Sequence, residues 1–241
     1  MDIIPDWRVH ATTTLAKDWL NPWSGQNVPK GTRLTVCSVM NLTKKKQLTI
    51  SLPNATAILL SAAYRSYQVA QKIRHENKID QSIKNQVVFV DEKSSFDYME
   101  AKIESVVMAY TALEAFANEL IPDSYEYEYT KRDSQKEVLN KEQIERIVSL
   151  DEKLSIVLPK ILSVNSPKGT RCWEEYRKLK RTRDRLIHMK SSDRRSTTSE
   201  NETLWHIIFT QNAPHIVVKE IISHYVRSMV EKPLWYGKCP F

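Results

Sequence analysis

The segment FDYMEAKIESVVMAYTALEAFANEL, residues 96–120, decides the fold class that we expect for this chain. Its apolar side chains recur every three or four residues, at Phe96, Met99, Ile103, Val106, Tyr110, Leu113 and Leu120. Because a helix turns by about 100° per residue, side chains at this spacing lie on one face. The segment therefore predicts a long amphipathic helix that ends near Pro122.

Helical patterns also occur on both sides of this segment. They cover the residues that follow the N-cap candidate Asn54, and residues 141–162, 172–190 and 204–231. The polar residues 123–140 are expected to form a surface excursion, that is, a segment outside the helical core. Residues 191–203 are expected to form a mobile loop. Helices joined by such connections favour a bundle, so the sequence predicts an all-α fold with a helical domain over residues 54–241.

Residues 1–53 have a different composition, with four prolines and two of the four glycines in the chain. Residues 33–39 (RLTVCSV) and 47–52 (QLTISL) alternate apolar and polar side chains, which is typical of half-exposed strands. The basic residues between them would form a turn. The sequence therefore predicts a small β-hairpin in an N-terminal extension, decorating the helical domain.

The composition excludes several classes of site. With only four glycines, the chain contains no Walker loop and no dinucleotide-binding pattern. Three cysteines without a CxxC pair argue against a disulfide framework or a structural zinc site. The N-terminal residues do not resemble a signal peptide, and no apolar run approaches the roughly 20 residues of a membrane span. We therefore expect a cytoplasmic protein without a bound metal or cofactor.

Polar side chains lie on two of the predicted apolar stripes. Glu114 and Asn118 fall on the stripe of residues 96–120, and Arg183 continues the apolar line of residues 172–190. Burying an unpaired charge is costly, so each charged group needs a partner or a cleft. Glu114 is a candidate partner for Arg183. Alternatively, helix tilt carries Glu114 and Asn118 to the end of the bundle.

The net charge of +7 is concentrated in one stretch of the chain. Residues 171–195 contain ten Lys or Arg and four Asp or Glu, a difference of +6. A solvated basic surface is one interpretation of this charge. Its concentration favours a polyanionic partner, such as nucleic acid.

The same stretch contains the motif RDRLIH, residues 183–188. An arginine, a polar residue, three further residues and a histidine resemble the signature of HEPN-domain ribonucleases. Residues 112–120 (ALEAFANEL) and 150–162 (LDEKLSIVLPKIL) are similar to the helices that precede the motif in that family. The resemblance covers about residues 92–232, and it implies a HEPN-like helical bundle.

The resemblance implies a metal-independent endoribonuclease, of the kind that acts as a toxin or an antiphage defence effector. In this family the RNA 2′-hydroxyl attacks the adjacent phosphate, which leaves 2′,3′-cyclic phosphate and 5′-hydroxyl ends. By this resemblance His188 is general acid or base, and Arg183 stabilises charge on the phosphate. Histidine exchanges protons near neutral pH and arginine stays charged, so both side chains suit these roles.

Further roles follow for neighbouring residues and for partners. Asp184 is expected to orient His188, and Glu114 and Asn118 are further supporting candidates. The cations expected to bind the RNA backbone are Lys180, Arg181, Arg185 and Lys190. The resemblance also implies a homodimer with a composite active site, and an antitoxin or a defence-system protein as partner.

Two features depart from a simple match. Arg183 and His188 are five residues apart, which is about 140° around an ideal helix. Either the helix distorts, or the arginine reaches round, or a second chain completes the cleft. One toxin branch of the family has a tyrosine two residues after the histidine, where this chain has Lys190. The alternative function is a non-catalytic helical module that binds RNA, a nucleotide or a protein partner.

Overall fold

The computed structural model describes residues 6–22, 24–84, 86–130, 134–194 and 203–241, without the side chains of residues 192 and 194. The chain divides into two compact units. One contains residues 1–58 and 232–241, and the other contains residues 59–231. None of the helices in the described ranges combines the length and the apolar character that a membrane crossing requires.

Short antiparallel strands characterise the first unit. They are β1 (Thr12–Thr14), β2 (Trp19–Leu20), β3 (Asn27–Val28), β4 (Arg33–Thr35), β5 (Cys37–Thr43) and β6 (Lys46–Ser51). Strand β1 pairs with β4, β2 with β3, and β5 with β6. The β5–β6 pair is the predicted hairpin, with Cys37 opposite Ser51 and a turn at Lys44 and Lys45. Its first strand begins later than predicted, at Cys37, because residues 33–35 pair with β1 instead.

Helices dominate the second unit. The helices of the chain are α1 (Ala55–Glu76), α2 (Glu92–Glu119), α3 (Lys141–Ile147), α4 (Leu150–Glu152), α5 (Leu158–Leu162), α6 (Arg171–Ile187), α7 (Leu204–Thr210) and α8 (Pro214–Val226). A π-helical turn, Lys153–Val157, joins α4 to α5. Strands β7 (Tyr127–Thr130) and β8 (Lys136–Leu139) form a further antiparallel pair.

Helix α2 is the central element of the second unit. It packs against α6, α7 and α8, and the Ser105 hydroxyl donates a hydrogen bond to the Ala63 carbonyl of α1 (2.9 Å). Asp91 begins the helix as its N-cap, because its side chain accepts from the Ser94 backbone N–H (2.7 Å). The predicted apolar stripe is thus part of a helix that has neighbours on several sides.

The prediction of an all-α fold is wrong. Among the described residues strands take up 15% and helices 51%, so the fold is mixed. One reason lies in residues 123–140, which were expected to be a polar surface excursion. There Tyr127 and Leu139 are buried while their strand neighbours Glu128 and Val138 are exposed, and the Tyr127 hydroxyl donates to Glu152 (2.6 Å). The high average polarity of the segment conceals this alternation, which is typical of a strand pair.

Lys102 is a lysine on α2 whose side chain is buried, which is unusual for a charged residue. Only 2% of its surface is exposed, and its ammonium group donates a hydrogen bond to the backbone carbonyl of Gln211, just after α7 (3.0 Å). Burial, with a smaller contribution from the positive charge of Arg74, lowers the pKa of Lys102 to about 8. A buried amine therefore connects the central helix to the turn between α7 and α8.

Replacing Lys102 by methionine should change how stability depends on pH. The pKa of Lys102 is about 8 in the folded protein, against 10.5 for an unperturbed lysine. Between these values the unfolded chain binds more protons, so the free energy of unfolding rises with pH. This group contributes a gain of about 3 kcal/mol across the window, and methionine contributes none.

Urea denaturation across this pH window measures the effect. Wild type should gain stability relative to Lys102→Met as the pH rises. Lys72→Met, at a surface position of α1, controls for the loss of one lysine. Parallel pH profiles for wild type and Lys102→Met would contradict the lowered pKa.

Candidate functional site

Helix α6 carries the RDRLIH motif and ends inside it. The Thr170 hydroxyl caps its N-terminus by accepting from the Trp173 backbone N–H (3.3 Å). The last helical residue is Ile187, and His188 has φ −114° and ψ 50°, outside the helical region. The direction of the His188 side chain is therefore not set by helical periodicity, and the angle of about 140° expected on an ideal helix does not apply to it.

Arg183 is held on two sides. Its guanidinium carbon lies 3.7 Å from the centroid of the Tyr110 ring, which is the geometry of a cation–π contact. One of its terminal nitrogens lies 2.8 Å from Asp184 Oδ1. Its side chain remains 25% exposed. Among the described residues Glu114 makes no ion pair with Arg183, so the ring and the adjacent carboxylate take the place of the expected partner.

A network of aromatic and charged side chains lies behind this contact. The rings of Tyr110 and Tyr176 stack with centroids 6.5 Å apart. The Tyr176 hydroxyl donates to Asp151, and Lys180 Nζ lies 2.7 Å from the other oxygen of that carboxylate. Helices α2, α4 and α6 are thereby connected around the base of the Arg183 side chain.

Burial and hydrogen bonding shift the pKa values of Tyr110, Tyr176 and Asp151 in this network. Burial raises the pKa of Tyr110 to about 12 and also raises the pKa of Tyr176. Burial opposes ionisation of Asp151 as well, but hydrogen bonds from Lys180 and Tyr176 hold the pKa of this carboxyl below its ordinary value. At neutral pH the network therefore contains neutral phenols and a charged carboxylate.

Glu114 and Asn118 lie near a different cation. Lys153 is fully buried at the start of the π-helical turn. Its ammonium group donates to Asn118 Oδ1 (2.9 Å) and to the Glu145 carbonyl (2.7 Å). Burial lowers the pKa of Lys153, while the charge of Glu114 acts to raise it. The two polar residues on the α2 stripe are thus explained by Lys153, which the sequence did not single out.

The four cations expected to bind RNA differ in their surroundings. Lys180 is paired with Asp151, and Arg185 lies 2.7 Å from Asp193, whose side chain is 1% exposed. The Arg185 guanidinium lowers the pKa of Asp193. Arg181 and Lys190 are exposed, and their side chains form no ion pair within the described ranges.

Asp193 belongs to the range that was expected to form a mobile loop. It lies in a short 3-10 helix, Ser191–Arg194, and accepts hydrogen bonds from the backbone N–H groups of Lys190 (3.1 Å) and Leu204 (3.4 Å). Residues 195–202 of the predicted loop lie outside the described residues. The chain just after the motif is therefore anchored by a buried carboxylate.

His188 is exposed at the end of α6. In the described part of the chain its imidazole has no hydrogen-bond partner. The Asp184 carboxylate, which was expected to orient the ring, contacts Arg183 instead. Asp184 and His188 are joined by the backbone hydrogen bond from His188 N–H to the Asp184 carbonyl (3.0 Å). The imidazole is accordingly accessible to a ligand.

Sequence reasoning missed the tyrosines and the acid behind Arg183. Tyr110 and Tyr176 were assigned to apolar stripes, where they do pack, and Asp151 was not singled out. A signal was available, because a tyrosine on a buried stripe needs a partner for its hydroxyl. Which acid supplies that partner depends on contacts between residues about 25 positions apart, as for Tyr176 and Asp151.

Neither a metal centre nor a known relative identifies the chemistry of this site. The described residues contain no group of three or more His, Cys, Asp or Glu that is placed to hold a metal ion. Comparison of the chain with protein-family models, with curated proteins and with solved structures finds no match. The function must therefore be inferred from the residues of this chain and their geometry.

Proposed function

We propose that this protein is a metal-independent endoribonuclease of the HEPN type, with Arg183 and His188 as its catalytic pair. The observation that carries the proposal is the arrangement at the end of α6. A guanidinium fixed on an aromatic ring lies five residues before an exposed imidazole at the end of a strongly basic helix, and no described residue forms a hydrogen bond with that imidazole. The resemblance of RDRLIH to the family signature supplies the reaction.

The proposed reaction needs one base and one acid. His188 accepts the proton of an RNA 2′-hydroxyl while the 2′-oxygen forms a bond to the adjacent phosphorus. The bond from phosphorus to the 5′-oxygen breaks, and that oxygen takes a proton from an acid. The products are a 2′,3′-cyclic phosphate and a 5′-hydroxyl. Arg183 stabilises the charge on the nonbridging phosphate oxygens.

A homodimer would meet this need. One chain supplies one motif histidine, whereas the reaction uses a base on one side of the phosphate and an acid on the other. Two copies with facing α6 ends would each contribute His188 to a composite site. We also propose, from the resemblance, that the enzyme acts as a toxin or antiphage effector and is restrained by an antitoxin or a defence-system partner.

The alternative is a non-catalytic helical module. It is favoured by the ion pairs that Lys180 and Arg185 form within the chain, because structural pairs of this kind need no catalytic explanation. Growth assays separate the two functions. A catalyst should slow growth when expressed as wild type and not as His188→Ala. A binding module should be harmless in both forms while it still binds RNA.

Substitution of either catalytic residue should abolish RNA cleavage. In vitro, with EDTA present, His188→Ala and Arg183→Ala should each reduce the cleavage rate by at least about 100-fold, because proton transfer and charge stabilisation are lost. Incubation of total RNA followed by gel electrophoresis measures the rate. Product 5′ ends should accept a radioactive phosphate from polynucleotide kinase without prior dephosphorylation.

Matched controls are available on the same chain. His75→Ala removes an exposed histidine of α1, and Arg177→Ala removes an exposed arginine of α6. Both should cleave at nearly the wild-type rate. Full activity of His188→Ala and Arg183→Ala would refute the assignment of the catalytic pair.

Tyr110 should act as a positioning residue for Arg183. Tyr110→Phe keeps the ring under the guanidinium and should retain most of the activity. Tyr110→Leu removes the cation–π contact, which contributes about 0.5–2 kcal/mol, and should lower kcat by about 2- to 30-fold. Steady-state cleavage of a short labelled RNA measures kcat and KM, and thermal unfolding verifies that both variants are folded. Equal kcat for the two variants would show that the ring does not position Arg183.

A further inference from the structure

A polar cleft lies on the side of α6 that faces α7. It has a volume of about 570 Å³. Its lining includes Lys178, Arg181, Thr182, Arg185, Gln211 and Asn212. None of these residues belongs to the Tyr110 network, which contacts α6 through Tyr176, Lys180 and Arg183. The cleft is therefore a second feature of the helix that carries the motif.

The cations of the cleft form one row along α6. Lys178, Arg181 and Arg185 are spaced by three and four residues, so they lie on one face of the helix. His188 follows three residues after Arg185, just beyond the last helical residue. A rise of 1.5 Å per residue puts successive members about 4.5–6 Å apart along the axis.

Arg181 is the cation most available to a ligand. Lys178 lies 2.7 Å from Glu175, and Arg185 lies 2.7 Å from Asp193. These carboxylates partly neutralise the two ends of the row. Arg181 between them is exposed and has no ion pair within the described ranges. An anion in the cleft would therefore bind most strongly at its middle.

The side of the cleft opposite α6 carries two amide side chains, Gln211 and Asn212, that form hydrogen bonds within the chain. Thr182 Oγ1 donates to Gln211 Oε1 (2.8 Å), and the buried Lys102 amine donates to the Gln211 backbone carbonyl (3.0 Å). Asn212 Nδ2 donates to Glu175 Oε2 (2.9 Å). Amide side chains both donate and accept, which lets them contact the edges of nucleic-acid bases. A wall held in place before binding loses little freedom when a ligand arrives.

We infer that this cleft binds an unpaired segment of the RNA substrate next to the bond that is cleaved. Arg181 contacts a backbone phosphate, the amides of Gln211 and Asn212 face a base, and the row of cations directs the strand toward His188. The inference rests on the proposed function and specifies its substrate class as single-stranded RNA. In an RNA duplex the Watson–Crick edges are paired and the major groove is too deep and narrow for side chains, so a duplex gains little from the amide wall.

Equilibrium binding of an uncleavable strand tests the cleft directly. The probe is a fluorescein-labelled, 2′-O-methyl oligoribonucleotide of mixed sequence, which has no 2′-hydroxyl to attack the phosphate. Fluorescence anisotropy of the full-length protein gives the affinity at several salt concentrations. Arg181→Gln should weaken binding by about 5- to 10-fold and reduce the salt dependence by about 0.7 in log–log slope, the value for one phosphate contact of a single strand.

Two further variants separate the roles within the cleft. Gln211→Ala should weaken binding by about 3-fold or more without changing the salt slope, because it removes a base contact and no charge. Arg177→Gln removes another exposed arginine of α6 that does not line the cleft, and it should bind as wild type. Circular dichroism of each variant verifies that the helices are intact.

Each alternative result has a definite meaning. Equal losses in Arg181→Gln and Arg177→Gln, or a duplex probe bound as tightly as the single strand, would overturn the cleft as the binding site. Wild-type binding by Arg181→Gln in a protein that cleaves RNA would overturn the cleft and leave the proposed function intact. A specific loss in Arg181→Gln without any cleavage by wild type would support the cleft and overturn the nuclease.

Discussion

The structure of the second unit depends on one constraint, which is that α2 is packed against neighbours while carrying polar side chains. A buried polar group without a partner is destabilising, so each one dictates what must lie beside it. Lys102 reaches the turn after α7, Ser105 reaches α1, and Asn118 binds Lys153 of the π-helical turn. Tyr110 stacks on α6. The polar groups of one helix thus fix the positions of its neighbours.

Helix α6 has two different sides as a consequence. On one side Tyr176, Lys180 and Arg183 join the network around Tyr110 and Asp151. On the other side a row of cations borders the cleft toward α7. Residues 171–195 carry less unpaired positive charge than their sequence suggests. Carboxylates from α4, α6 and the 3-10 helix form ion pairs with Lys180, Lys178 and Arg185. Arg181 and Lys190, which form no ion pair within the described ranges, are among the cations of this stretch that remain available to bind an anion.

The RDRLIH motif contains one side chain that is fixed by contacts, Arg183, and one that is exposed, His188. Arg183 is fixed by a ring on one side and a carboxylate on the other, which reduces the conformational cost of binding an anion. His188 lies beyond the last helical turn and is exposed, so its ring is free to meet a ligand. Asp193, five residues on, anchors the chain that follows. A fixed cation and an accessible imidazole within one short segment suit charge stabilisation combined with proton transfer.

Local patterns in the sequence determined the long helices and the β5–β6 hairpin, because the spacing of apolar residues depends only on near neighbours. They also indicated that Glu114, Asn118 and Arg183 needed partners. The identities of those partners, Lys153 and the Tyr110 ring, came only from the tertiary structure. The β7–β8 pair was likewise missed, because its alternation is weak within a polar segment. Contacts between distant residues arise from how helices pack, and periodicity along one segment carries no information about the side chains that another segment brings to it.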